Sequence, residues 1–208
     1  MNKKKVLIDI DFVLRDWINA LENTYILRIG DWDGTIEDLD KIWEYFPFPN
    51  YIEMEKVVED DPEVTEKVMA VDKKSPWKPN RDIFNTFVHD NVLEIFGYAK
   101  ESVPNAVSHL NKLQQENPDF EIILFSKVKG KAIAATLFFL SKTGCEIKKI
   151  KFIADEVNLG DCDIIITSNT NLSSISSHRR FILYTTQFNI KYNNYNRINS
   201  IKEILSFT

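Results

Sequence analysis

A chain of 208 residues can bury one substantial core, or one core with a small accessory unit, without disulfide staples. Its formal charge of -5 excludes a general nucleic-acid binder, which needs a basic face for phosphate contacts, and no sequence-specific nucleic-acid binding is expected. Cys145 and Cys162 stand far apart in no ligand spacing, which suits a reducing cytoplasm, and the apolar run after Met-Asn-Lys-Lys-Lys is broken by Asp9 and Asp11, so it reads neither as a signal peptide nor as a membrane span.

The chain opens on Lys4-Val-Leu-Ile-Asp-Ile-Asp-Phe-Val-Leu-Arg-Asp16, a buried-strand pattern that delivers Asp9 and Asp11 to the strand's end, where α/β sheets place their chemistry. Past a strand end the backbone can curl, so two carboxylates that would alternate inside the strand can face one volume. A divalent cation, or a nucleophile beside a general acid/base, would offset their repulsion; a solvated helix cap is the bland alternative. Asp16 caps a helix in which Trp17, Leu21, Tyr25 and Ile26 share a face, with Gly30 where it stops.

From about Asp31 to Tyr98 the pattern gives only helical fragments between prolines: Thr35–Tyr45, Pro62–Val71, and Asn80–Phe96 before Gly97. Within it, Trp43, Tyr45, Phe46, Phe48 and Tyr51 suit either a base-stacking pocket or the inside of a small helical cap. Alternation resumes with a helix over Pro104–Glu116, the strand Phe120–Phe125 ending in Ser126, and a helix over Lys131–Lys142 before Gly144. Strands over Lys149–Ile153, Asp163–Ile166 and Arg180–Tyr184 and a helix near Ser200–Leu205 follow. This order implies an α/β fold: a Rossmann-like parallel sheet with helices on both faces and a small helical cap inserted after the first strand-helix unit. The expected division is a core of residues 1–30 and 99–208 and a cap of residues 31–98. His89, His109 and His178 fall on different elements with no second ligand at zinc or iron spacing.

Phosphoryl chemistry on such a sheet needs a carboxylate nucleophile, a second carboxylate to move a proton, a hydroxyl and a cation for the phosphate oxygens, and further acids for Mg²⁺. Asp9 and Asp11, then Ser126, then Lys131 at a helix start supply the first three in order. With that order the chain resembles the haloacid dehalogenase-like superfamily and, within it, the 5′(3′)-deoxyribonucleotidase-like branch. That family opens with Asp-x-Asp-Gly-Val, carries its cap between the first and second motifs, ends a second strand in Thr or Ser, and starts the next helix with Lys. Phe181-Ile-Leu-Tyr184, a loop with Asn189, and Arg197 to Leu205 are similar to its last strand and closing helix.

The resemblance implies Asp9 as nucleophile, Asp11 as general acid/base, Ser126 and Lys131 as the phosphate clamp, and Asp9, Asp11 and the backbone carbonyl of Val13 as Mg²⁺ ligands. Two departures stand out. Phe12 replaces the family's Gly, which removes the freedom of a positive φ. The fourth motif, Asp-x-x-Ile-Asp-Asp in the family, runs Asp163-Ile-Ile-Ile-Thr167-Ser168-Asn169, so Thr167 and Ser168 stand where two metal-binding acids belong and Mg²⁺ binding should weaken. Asp155, directly after a strand, or its neighbour Glu156 is the candidate substitute ligand.

Two functions follow. One is a nucleotidase-like protein with an incomplete Mg²⁺ site, weak or inactive as a phosphatase and kept as a binding or structural module; the richness in Asn, Ile and Lys suits an AT-rich genome such as a phage's, which would place it in host cytoplasm or virion. The other is an active Mg²⁺-dependent phosphomonoesterase acting on a nucleoside monophosphate or another small phosphate ester through an aspartyl-phosphate. A protein partner and a homodimer stay open under both. A receiver domain also pairs acids with Ser or Thr and Lys, but the long insert after the first strand argues against it.

Overall fold

The computed structural model describes residues 3–28, 87–153, 161–169, 180–186, 189–190 and 194–207. Most of the expected cap, with its aromatic run, Asp155, Glu156 and His178 lie outside the described residues. By compactness the chain divides into one unit of Met1–Asp16, Lys100–Lys127 and Leu140–Thr208 and another of Trp17–Ala99 and Val128–Phe139.

The first unit is built on β1 (Lys4–Asp9), β4 (Phe120–Ser126), β5 (Ile150–Phe152), β6 (Ile164–Thr167), β7 (Arg180–Tyr184) and β8 (Arg197–Ile198). These form one parallel sheet in the order β5-β4-β1-β6-β7-β8. The run Val6-Leu7-Ile8 is fully buried at every residue, so both faces of the central strand are covered, as an apolar run without alternation demands. Leu7 stands in register with Ile123 on one side and Ile165 on the other, and Ile165 with Phe181, which gives a row of apolar side chains across four strands. The expected α/β, Rossmann-like architecture is therefore present.

Helix α2 (Ala106–Glu116) starts two residues later than Pro104 suggests. Asn105 before it has a left-handed φ of 63°, and the first turn is capped from a distance by the Glu101 carboxylate, which accepts the Val107 N–H at 2.8 Å. Gln114 on this helix bonds both the carbonyl of Phe120 and the N–H of Ile122, fastening it to β4. The expected closing helix is a tighter 3₁₀ segment over Ile201–Phe207. A two-residue antiparallel ribbon, β2 (Arg15–Asp16) with β3 (Lys100–Glu101), was not foreseen; it clasps the chain where it leaves for, and returns from, the second unit.

In the second unit α1 (Trp17–Arg28) buries Trp17, Leu21 and Tyr25; Trp17 packs tilted against Phe96 and Tyr25 edge-on against Phe87, with ring centres 5.7 and 5.4 Å apart. The end of the expected Asn80–Phe96 helix widens into a π-type turn over Leu93–Gly97. Gly97 closes it because a Cβ there would lie 2.7 Å from Leu93 Cδ1 and 3.2 Å from Phe138. Helix α3 (Lys131–Lys142) begins in this unit and is stopped by Gly144 at φ +71°. No helix among the described residues is long and apolar enough to cross a membrane.

Candidate active site

Three adjacent strands of the first unit end on polar residues: β1 on Asp9, β6 on Thr167 and β4 on Ser126. All three are buried, Ser126 and Thr167 completely. They lie at the carboxyl edge of a parallel sheet, where the strands of α/β folds present binding and catalytic groups.

The loop after β1 brings the second acid back to this edge. Ile10 still donates to the carbonyl of Phe125 at 2.8 Å, and its own carbonyl then accepts the N–H groups of Leu14 and Arg15 at 3.1 and 3.0 Å. Phe12 N–H closes the curl on the carbonyl of Arg15 at 2.8 Å. This curl demands a left-handed residue, and Phe12 takes it with φ +67°. The expectation that Phe in place of Gly forecloses a positive φ is thus corrected: three backbone hydrogen bonds impose the conformation at a cost of about 1–2 kcal/mol. Burying the Phe12 ring, 5 % exposed, offsets it by roughly 1.5–3 kcal/mol.

The curl places the two carboxylates within one hydrogen-bonded cluster. Asp9 accepts the Asp11 N–H at 3.0 Å on one oxygen and the Thr167 hydroxyl at 2.6 Å on the other. Asp11 accepts the Ser126 hydroxyl at 2.6 Å on Oδ2, and on Oδ1 it accepts Arg15 through Nη2 at 2.5 Å and Nε at 3.2 Å. Arg15 is fully buried, and its backbone is held by the pairing with Glu101. Burial pushes the Asp9 carboxyl up to about 7, and the neighbouring Asp11 charge adds to the rise; the Thr167 hydroxyl, the Asp11 N–H and the Lys127 ammonium pull the other way.

The structure therefore brings together Asp9, Asp11, Ser126 and Thr167. Lys131 is the exposed first residue of α3 and belongs to the second unit, while the lysine charge felt by Asp9 in the first unit is that of Lys127. Val13 is fully buried and its carbonyl accepts the Ser102 hydroxyl at 2.6 Å. Ser168 is buried, and its carbonyl accepts the Asn189 amide at 3.0 Å. Sequence reasoning missed Arg15 and Lys127. The available signal was a lone basic residue four positions after Asp11 in an otherwise apolar stretch, and a lysine directly after Ser126.

Mg²⁺ binds through one or two available carboxylates and fills the rest of its shell with water, and in this pair the carboxylate oxygens are already engaged. Both oxygens of each acid already carry an internal donor, one of these donors is itself a cation, and Thr167 at the end of β6 offers a neutral hydroxyl that donates to Asp9. Among the described residues no three His, Cys, Asp or Glu side chains gather as a metal site would require. A hollow of about 630 Å³ lined by Lys3, Lys5, Glu121 and Asp163 lies at the amino ends of β1, β4 and β6, the opposite edge from the acids.

No family model and no curated protein matches the chain. Among solved structures it is similar to YfnB from Bacillus subtilis, described as a HAD-hydrolase bound to magnesium, with a TM-score of 0.59 and 12% identity over 100% of this chain and 99% of that one. It is also similar to β-phosphoglucomutase from Clostridium difficile, with a TM-score of 0.46 and 16% identity over 99% of this chain and 96% of that one. The first likeness is one of fold: the chain has the haloacid dehalogenase-like α/β fold.

Proposed function

We propose that this chain is a nucleotidase-like protein on the haloacid dehalogenase fold whose phosphatase chemistry is weak or absent, kept as a binding or structural module. The observation that carries the reading is the state of Asp11. A general acid must hold a proton and pass it to the leaving oxygen, yet both Asp11 oxygens accept hydrogen bonds from donors, Ser126 on one and Arg15 on the other. Any proton on Asp11 must share an oxygen with one of these donors. Ser126 directs its single O–H at Asp11, so a phosphate oxygen would have to compete with Asp11 for it. Asp9, its carboxyl pushed up by burial and by the Asp11 charge, is biased toward its protonated form, which weakens it as a nucleophile.

On this reading residues 31–98 are the cap, Thr167 and Ser168 mark the lost metal wall, and the partner is a protein or a second copy of the chain. The location is host cytoplasm or virion for a phage gene. The test is hydrolysis of deoxynucleoside monophosphates and of an aryl phosphate, with and without Mg²⁺. No Asp9-dependent turnover is expected, and Thr167→Asp with Ser168→Asp should raise Mg²⁺ affinity by calorimetry. Turnover in the wild type that Asp9→Asn abolishes would overturn the proposal.

A second reading is favoured by one observation, the convergence of Asp9, Asp11 and Ser126 at neighbouring strand ends. Under it the chain is an active Mg²⁺-dependent 5′(3′)-deoxyribonucleotidase or related phosphomonoesterase. Asp9 would attack phosphorus to form an aspartyl-phosphate, Asp11 would protonate the leaving alcohol, and Ser126 and Lys131 would hold the phosphate. Its metal shell would need an acid beyond the pair, for which Asp155 is the candidate.

A further inference from the structure

We infer that the Arg15 guanidinium, bound to Asp11, is the resident cation of this site and stands where a divalent ion on that carboxylate would have to bind, which keeps the site free of metal. The inference deepens the reading of a phosphate site that has lost its metal wall, and rests on it.

A buried Asp9 beside a half-buried Asp11, whose N–H it accepts, calls for positive charge nearby, because little water is left to screen the pair. Arg15 supplies it through two nitrogens converging on Asp11 Oδ1. Its weakly hydrated planar head tolerates full burial better than an ammonium. The head is also placed by backbone rather than by chance packing. Arg15 N–H donates to Ile10, its carbonyl accepts from Phe12, and its strand position pairs with Glu101. An ion arriving at Asp11 would meet this fixed cation at contact distance, and like charges so close in a buried site repel strongly. At Asp9 it would have to compete with the Thr167 hydroxyl and the Asp11 N–H, which engage one oxygen each. Arg15 acts through Asp11 and is a positioning residue.

The experiment is a Mn²⁺ titration followed by electron paramagnetic resonance on the full chain, for wild type, Arg15→Met and Arg15→Lys. Wild type and Arg15→Lys should show no saturable site, whereas Arg15→Met should bind Mn²⁺ about tenfold or more tighter, a gain that Asp9→Asn removes. A merely structural Arg15 would leave the Met and Lys variants alike, and that result sinks the inference. Saturable Mn²⁺ binding to wild type that Asp9→Asn abolishes sinks it too, and that measurement decides alone if Arg15→Met does not fold. Phosphatase activity reports separately: metal-free, Asp9-dependent turnover would refute the inactive reading while leaving Arg15 in its role, and an inert wild type that binds Mn²⁺ would do the reverse.

Discussion

Two buried polar clusters of the same unit are built on opposite principles. Around Asn189 every group finds a complementary neutral or cationic partner: the amide donates to the carbonyls of Tyr184 and Ser168, and its oxygen accepts the Thr186 N–H and Arg197. Arg197 also donates to the Asn189 carbonyl at 2.5 Å, and no acid takes part in these bonds. The cluster sews the loop after β6 to the end of β7 and is a stabilising clasp. Around Asp9, by contrast, two acids are crowded together, a bulky residue holds a left-handed φ, and one carboxyl is pushed far from its ordinary value. Tension of this kind gathers where a fold keeps chemistry, or the remains of it, at a cost in stability.

The comparison sharpens most when the charged cluster is cut. Asp11→Ala strips a carboxylate from a fully buried guanidinium and should lower stability by about 3–5 kcal/mol in urea denaturation. Adding Arg15→Met should recover part of the loss, as a double-mutant cycle would show. If the two losses simply add, the pair is not coupled and the contrast fails.

Acidity gives the next largest effect. Asp9 rises from an ordinary 3.8 to about 7, so the folded state holds its proton where the unfolded chain has released it, and stability falls as pH climbs through that window. Relative to wild type, Asp9→Asn should gain up to about 4 kcal/mol between roughly pH 4 and pH 7, with no further change above the folded value. A difference between the two proteins that stays flat with pH would show that Asp9 ionises normally.

Asn189→Ala should cost less, about 2 kcal/mol, because it leaves two buried carbonyls and Arg197 short of a partner without stranding a lone charge. Its effect should be the same at acid and neutral pH. A pH-dependent loss would mean that the clasp is tied to the acid pair after all.

Much of this was readable residue by residue. The strand Arg180–Tyr184 and the helix Lys131–Lys142 coincide with their expected bounds, because a continuous apolar run and a glycine stop are local signals. Phe120–Ser126 likewise carries its hydroxyl at the strand end. The ribbon of β2 and β3 left no such signal, since two-residue strands bury too little to imprint a pattern. Arg15 carried no pattern that set it apart, and Phe12 read as a residue barred from a positive φ.

Residue type and spacing alone fix the α/β layering and the strand ends at or beside which Asp9, Ser126 and Thr167 fall. Only the tertiary structure decided that the loop after β1 curls onto Ile10, that Phe12 bears the strain, and that Arg15 is turned inward onto Asp11. The reason is physical: apolar periodicity records which residues avoid water, whereas the partner of a buried charge is chosen by backbone hydrogen bonds between segments distant in sequence, here the pairing of Arg15 with Glu101.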